Sequence, residues 1–180
     1  MATLSLDDAQ AAVPRIGVVA SRFHKEVCEG LLAGCITRLK EAGTDPDTVE
    51  VIRVAGAFDI PFACRALADR GNCDALVALG CVVRGETAHF EYVAGECARG
   101  VMEAGMETGV PIAFGVLTTD TLDQARLRAD RNALVGSDAG KADKKTVLAS
   151  NKGWEAAGAA LELAEIVRLN GTPISPGRET

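Results

Sequence analysis

Histidine is nearly missing from this chain: His24 and His89 are the two it has in 180 residues. Six cysteines are present (Cys28, Cys35, Cys64, Cys73, Cys81, Cys97), yet none forms a C-x-x-C pair. A metal site of the zinc type therefore has little to build on, and the thiols read as reduced and mostly buried. No basic block occurs either. Lys and Arg number 19 against 25 Asp and Glu, a net charge of −6, which argues against nucleic acid and anionic membrane as partners. No apolar run approaches the roughly 20 residues that cross a bilayer. No charged leader with an apolar run and a cleavage site opens the chain, so the expected compartment is the cytoplasm. Repeats and low-complexity tracts are absent as well. The length suits one domain that buries about 70% of its unfolded surface.

What the chain does have is a regular alternation of strand and helix patterns. Segments 15–20, 49–54 and 112–117 read as strands, and 74–83 is almost unbroken aliphatic and small sequence, as for a strand buried on both faces of a parallel sheet. Between them, 25–42 carries Val27, Leu31, Leu32, Cys35, Ile36 and Leu39 on one stripe and stops at Gly43. Asp59 and Pro61 open a second helix. Phe90, Val93, Cys97, Val101 and Met102 recur at helical steps in a third, which Gly109 and Pro111 terminate. Asp120 and Thr121 with Gln124 start a fourth. Residues 151–169 form the last, with Trp154, Ala157, Leu161, Ala164 and Val167 on one side. This order predicts a three-layer α/β fold of the flavodoxin-like kind, a four-stranded parallel sheet with helices on both faces.

In such a sheet, ligands bind outside the carboxyl ends of the strands. Each strand here delivers polar or aromatic residues at that end. After the central strand, Gly85 permits close backbone approach, Thr87 can cap the next helix and offer a hydroxyl beside its free N–H groups, and Arg84 adds a positive charge. His89 supplies an imidazole, a side-chain type that exchanges protons near neutral pH. Phe23 follows strand one without fitting its core periodicity, a candidate for stacking on a flat ring. Gly56, Ala57 and Phe58 follow strand two, where small residues let such a ring approach the backbone. Taken singly, these also read as a helix cap with a half-buried histidine, a core phenylalanine, an N-cap Asp59 and a surface Arg128. Together they form an anion seat, aromatic faces and one proton carrier, with no Ser or Cys nucleophile paired to the histidine by any motif.

The string G-C-V-V-R-G-E-T-A-H-F-E-Y-V at 80–93 resembles the signature of the lumazine synthase family of riboflavin biosynthesis. So do S-R-F-H at 21–24, G-A-F-D-I-P at 56–61, F-G-V-L-T-T-D-T at 114–121, Q-A-x-x-R-A at 124–129 and N-K-G at 151–153, all in family order. The resemblance spans roughly residues 14–169. It implies condensation of 5-amino-6-(D-ribitylamino)uracil with 3,4-dihydroxy-2-butanone 4-phosphate, without metal or other cofactor. It further implies His89 as the proton carrier and Phe23 as the stacking ring. Gly56, Ala57, Phe58, Asp59, Val82 and Val83 would meet the pyrimidine and its ribityl chain, and Gly85, Thr87 and Arg128 the phosphate end, with Glu86 a further substrate-binding residue. Phe114 and Arg128 would reach the site of a neighbouring subunit, and Lys152 belongs to the implied substrate-binding set. The implied partners are small-molecule substrates, further copies of the chain in a homopentamer, and riboflavin synthase as a candidate.

Three departures accompany the resemblance. Asp59 stands where the family usually has Glu, and His24 where it commonly has Asn; no catalytic role is assigned to His24. Residues 129–150 form an insertion between the last two helices whose Asp, Gly, Lys and Ser content reads as a surface loop. Residues 1–13 read as an N-terminal arm, 14–170 as the domain and 171–180 as a loose tail. Bulk at the insertion favours a pentamer, or a pair of pentamers, over a closed icosahedral shell. A flavodoxin or receiver module would share the fold but lacks its signature here. A non-catalytic flavin-binding or shell-forming relative stays open as the alternative.

Overall fold

A computed structural model describes residues 13–130 and 151–169. The expected arm up to residue 12, residues 131–150 of the insertion and the tail lie outside the described residues. Four strands, β1 (Ile16–Ser21), β2 (Val51–Val54), β3 (Ala75–Val83) and β4 (Ile112–Thr119), form one parallel sheet in the order β2-β1-β3-β4. Among the described residues the helices are α1 (Lys25–Glu41), α2 (Ile60–Ala68), α3 (His89–Thr108), α4 (Leu122–Arg128) and α5 (Lys152–Leu169). Ser21 lies opposite Val54 and Val83 opposite Thr119, so β1 ends with β2 and β3 with β4; Ala20 lies opposite Leu79, so β3 runs on past the end of β1, and all four exits lie at the same carboxyl edge.

The sheet divides the core in two because successive side chains of a strand point to opposite faces. Val18, Val77, Leu79 and Leu117 pack with Leu31, Cys35, Ala125 and Ala160 of α1, α4 and α5. Val19, Leu76, Ala78 and Val116 pack on the other side with Ile60, Cys64, Cys97 and Val101 of α2 and α3. Every residue of β3 but the last is buried, as a central strand covered on both faces requires. The expected three-layer arrangement is thus the one observed. Among the described residues, no helix is long and apolar enough to cross a membrane.

Local differences from the expected pattern have identifiable causes. The chain makes a 3₁₀ turn at Pro46–Thr48, so β2 starts at Val51 rather than at 49. The third helix opens at His89 with Ala88 at its N-cap and no side-chain cap. Thr87 lies one position too early to cap it, and its Oγ1 only accepts from the His89 N–H at 3.5 Å. Met102 is 67% exposed: one residue beyond the buried Val101, it is turned about 100° away from the core. In α5 the buried face is small, Gly153, Ala156, Ala157, Ala160 and Ala164, while Trp154, Leu161 and Val167 flank it half-buried. The small side chains let α5 lie close on α1; a Cβ on Gly153 would come within 1.9 Å of the Leu31 carbonyl oxygen.

Candidate active site

The exit from β1 holds Phe23 by its backbone and leaves its ring free. The Arg22 N–H donates to the Val54 carbonyl at 2.9 Å, the Phe23 N–H to Oγ of the fully buried Ser21 at 3.0 Å, and the Cys28 Sγ–H to the Phe23 carbonyl at 3.0 Å. Phe23 itself is 63% exposed. His24 then turns the chain into α1 through the left-handed region (φ 52, ψ 54), its carbonyl accepting from Val27 and Cys28 N–H. Burial lowers the His24 pKa from its ordinary value.

The exit from β2 is a 3₁₀ turn over Ala57–Asp59 leading into α2, whose second residue is Pro61. Asp59 precedes α2 as expected but makes no side-chain cap to it. Its Oδ2 instead accepts the Gly56 N–H at 2.8 Å, because the tight turn brings that donor within reach. Ala57 is buried beneath the turn, and Phe58 projects from it.

The exit from β3 is fixed by Arg84. Its N–H donates to the Thr119 carbonyl at 2.8 Å, its Nε to Asp120 at 2.9 Å and its Nη1 to Glu91 at 2.6 Å. The guanidinium also lies over the Phe90 ring at 4.3 Å, within cation–π range. These contacts raise the Arg84 pKa, through the Glu91 hydrogen bond first. The guanidinium serves to join the ends of β3 and β4 to the first turn of α3. The backbone between Arg84 and α3, Gly85 to Ala88, is exposed at a helix N-terminus, where unpaired N–H groups and the helix dipole favour an anion.

Around these exits lies a cavity of about 390 Å³. Phe23, Gly56, Ala57, Phe58, Val82, Val83, Gly85, Thr87 and His89 line it, so these expected site residues come together. His24, Cys81, Phe90 and Val93 line it too, without having been assigned to it from the sequence. Phe90 and Val93 share helical spacing with true core positions and could not be told from them. Cys81 is no nucleophile for His89, since burial pushes its thiol up to about 12.

Five expected residues lie elsewhere. Asp59 is held on Gly56, and Glu86 is exposed outside the lining. Phe114 is 43% exposed on the edge strand β4, on the α3 side of the sheet. Arg128 closes α4, its Nη1 donating to the Gln124 carbonyl at 2.9 Å, and Lys152 pairs with Glu155 at 2.7 Å. The lining therefore contains no Lys or Arg among the described residues. A smaller hollow of about 280 Å³ at the opposite, amino edge of the sheet is lined by Arg15, Glu50 and Cys73 among others, and none of the expected site residues reaches it.

The family model described as 6,7-dimethyl-8-ribityllumazine synthase matches residues 13–168. A curated protein of that name from Syntrophus aciditrophicus is 42% identical over 154 residues, covering 86% of this chain and 90% of its own length. Another of that name from Synechococcus elongatus is 45% identical over 157 residues, covering 85% of this chain and 77% of its own.

Proposed function

Because the chain belongs to the 6,7-dimethyl-8-ribityllumazine synthase family, we propose that the carboxyl-edge cavity is where it carries out that family's reaction. The reaction joins 5-amino-6-(D-ribitylamino)uracil to 3,4-dihydroxy-2-butanone 4-phosphate, giving 6,7-dimethyl-8-ribityllumazine, phosphate and water, the penultimate step of riboflavin biosynthesis. The observation that carries the placement is the convergence of two exposed aromatic rings, a helix N-terminus and His89 on one cavity.

The assignments follow the chemistry of the lining. Phe23, clamped through its backbone, offers its ring face to the pyrimidine. The backbones of Gly56, Ala57, Phe58, Val82 and Val83 bind the ring edge and the ribityl chain, with the Asp59 carboxylate bracing the turn. Gly85 and Thr87 present N–H groups and a hydroxyl to the phosphate end, and Glu86 is kept as a further substrate-binding residue. His89 relays protons as the amine adds to the carbonyl and phosphate leaves, a contribution of about 10² to 10⁴ in rate. Holding both reactants in one cleft supplies a large further share.

A second copy of the chain completes the site in this reading. Among the described residues the lining has no Lys or Arg, while Arg128 and Phe114 lie outside it. On α3, Tyr92, Met102 and Met106 fall within about a quarter of the helix circumference at 100° per residue. They are 67–71% exposed, and Phe62 on α2 is 81% exposed. Apolar surface of that extent fits a protein partner. We take residues 14–170 as the catalytic domain, assembled as a homopentamer in which Arg128 and Phe114 serve the neighbour's cavity. Lys152 is kept as a further substrate-binding residue. The insertion, whose residues 131–150 lie outside the described ones, limits assembly to one or two pentamers. The six free thiols suit a reducing cytoplasm. Riboflavin synthase, which consumes the product, is the candidate further partner. Neither relative's name favours the non-catalytic flavin-binding alternative.

The test is to mix the purified protein with both substrates and follow lumazine fluorescence; a rate equal to the spontaneous condensation would overturn the reading. Thr87→Ala and Arg128→Ala should raise KM for the phosphorylated substrate more than for the pyrimidine. His89→Ala mixed with Arg128→Ala subunits should regain activity that neither has alone, and failure to do so would refute the shared site. Light scattering distinguishes the pentamer and decamer from hollow shells.

A further inference from the structure

His24 is the only residue other than glycine with a positive φ among the described residues. Strained backbone of this kind persists where surrounding structure holds it and clusters at functional sites. Its place in the fold gives that strain a use. The residue lies between the clamped backbone of Phe23 and the first turn of α1, and its side chain makes no cap to that helix. The imidazole lines the cavity and meets the Phe23 ring edge to face, with centroids 4.7 Å apart and ring planes at 75°. Burial lowers its pKa from the ordinary value, the direction that favours the uncharged ring. The hydrogen bonds that hold Phe23 act on its main chain: Ser21 on the N–H, Cys28 on the carbonyl. Among the described residues, the ring contact recorded for the Phe23 side chain is the one with His24.

We propose that His24 is a positioning residue that holds the Phe23 ring at the angle at which the pyrimidine stacks, and so sets affinity for the heterocyclic substrate. The left-handed turn is what puts the imidazole beside the ring; an extended or helical residue at 24 would carry its side chain elsewhere. The inference rests on the reading of the cavity as the pyrimidine site. It differs from the roles of His89 and Thr87 in acting through a neighbouring side chain and on one substrate only.

A double-mutant cycle tests it in the full-length protein. The variants are Phe23→Ala, His24→Asn and the pair together. The readouts are binding of 6,7-dimethyl-8-ribityllumazine, followed by its own fluorescence, and KM for each substrate. Asn tolerates the left-handed backbone and removes the ring contact. His24→Asn should weaken the lumazine and raise KM for the pyrimidine by about three- to tenfold, the worth of an edge-to-face pair. KM for the phosphorylated substrate should stay unchanged. Adding His24→Asn to Phe23→Ala should cost nothing more, because His24 acts through Phe23. His24→Gly, which relieves the backbone, should show the same binding loss with no fall in melting temperature, separating positioning from folding. Wild-type affinity in His24→Asn, full additivity in the pair, or equal loss for both substrates would overturn the inference while leaving the Phe23 effect intact. Wild-type affinity in Phe23→Ala would overturn the stacking reading itself, and this inference with it.

Discussion

Replacing Asn151 with alanine should cost about 3 kcal/mol of stability, although the residue is not part of the cavity lining. Its side chain is fully buried at the head of α5. The Oδ1 atom accepts from the Gly153 and Trp154 N–H groups at 2.9 and 3.2 Å, and Nδ2 donates to the Gly30 and Asp130 carbonyls at 3.2 and 3.4 Å. One amide thus caps α5, fastens it to α1 and fixes the backbone where α4 ends. The amide lies close on α1: a Cβ on Gly34 would lie 2.1 Å from Oδ1. Loss of an N-cap costs about 1 kcal/mol, and leaving buried carbonyls without their donor costs roughly 1–3 more. At about 2–4 °C per kcal/mol for a chain of this size, the melting temperature should fall by about 6–12 °C. Urea denaturation and thermal scans at one fixed protein concentration measure it, since association shifts both. Asn151→Ser keeps an acceptor for the cap and should recover about 1 kcal/mol. Asn151→Asp, which turns a second carboxylate oxygen toward two carbonyls, should be at least as damaging as alanine. A loss under about 1 kcal/mol, or a serine variant no better than alanine, would show that this amide does not organise the junction.

The remaining expectations concern the site and the titrating groups. His89→Ala should lower kcat by about 10² to 10⁴ and shift stability by less than about 0.5 kcal/mol, as the side chain is exposed; wild-type turnover would remove it from the mechanism. Burial pushes the Cys35 and Cys64 thiols up to about 12 and those of Cys28 and Cys97 to about 11. A thiol reagent at pH 8 should therefore find Cys73, the half-buried one, far ahead of the rest, and rapid reaction persisting in Cys73→Ala would contradict that. Raised thiol pKa values stabilise the fold fully below about pH 8.5 and progressively less as pH climbs toward them, so urea midpoints should drop between pH 9 and 11. Asp74 is the opposite case: the side-chain hydrogen bond from Arg15 holds its pKa below the ordinary carboxylate value. Its contribution is present above about pH 4 and lost as pH falls through the lowered value. Because the pair is exposed, Asp74→Asn should cost under about 1 kcal/mol at pH 7 and less at pH 3; an equal gap at both would mean that the pair contributes nothing.

The layer order was legible in the chain because hydrophobic period and glycine stops are local. The buried run 75–83 announces a central parallel strand, and Gly43 and Gly109 end their helices at positive φ as expected. The loop residues of the cavity were legible for a related reason. Parallel strands must exit on one edge, so Phe23, Phe58, Gly85, Thr87 and His89 were bound to be neighbours once the strands were assigned. Which way a side chain turns is another matter, since it depends on partners far off in sequence. Arg84 reads as a free cation until Asp120 and Glu91 arrive, and Asp59 as a helix cap until the 3₁₀ turn offers it Gly56. Asn151 reads as the first letter of a motif; only packing of α1 against α5 makes it the bolt of a buried junction. The role inferred for His24 came from tertiary structure too, for no periodicity or spacing specifies a left-handed turn that sets one ring against another.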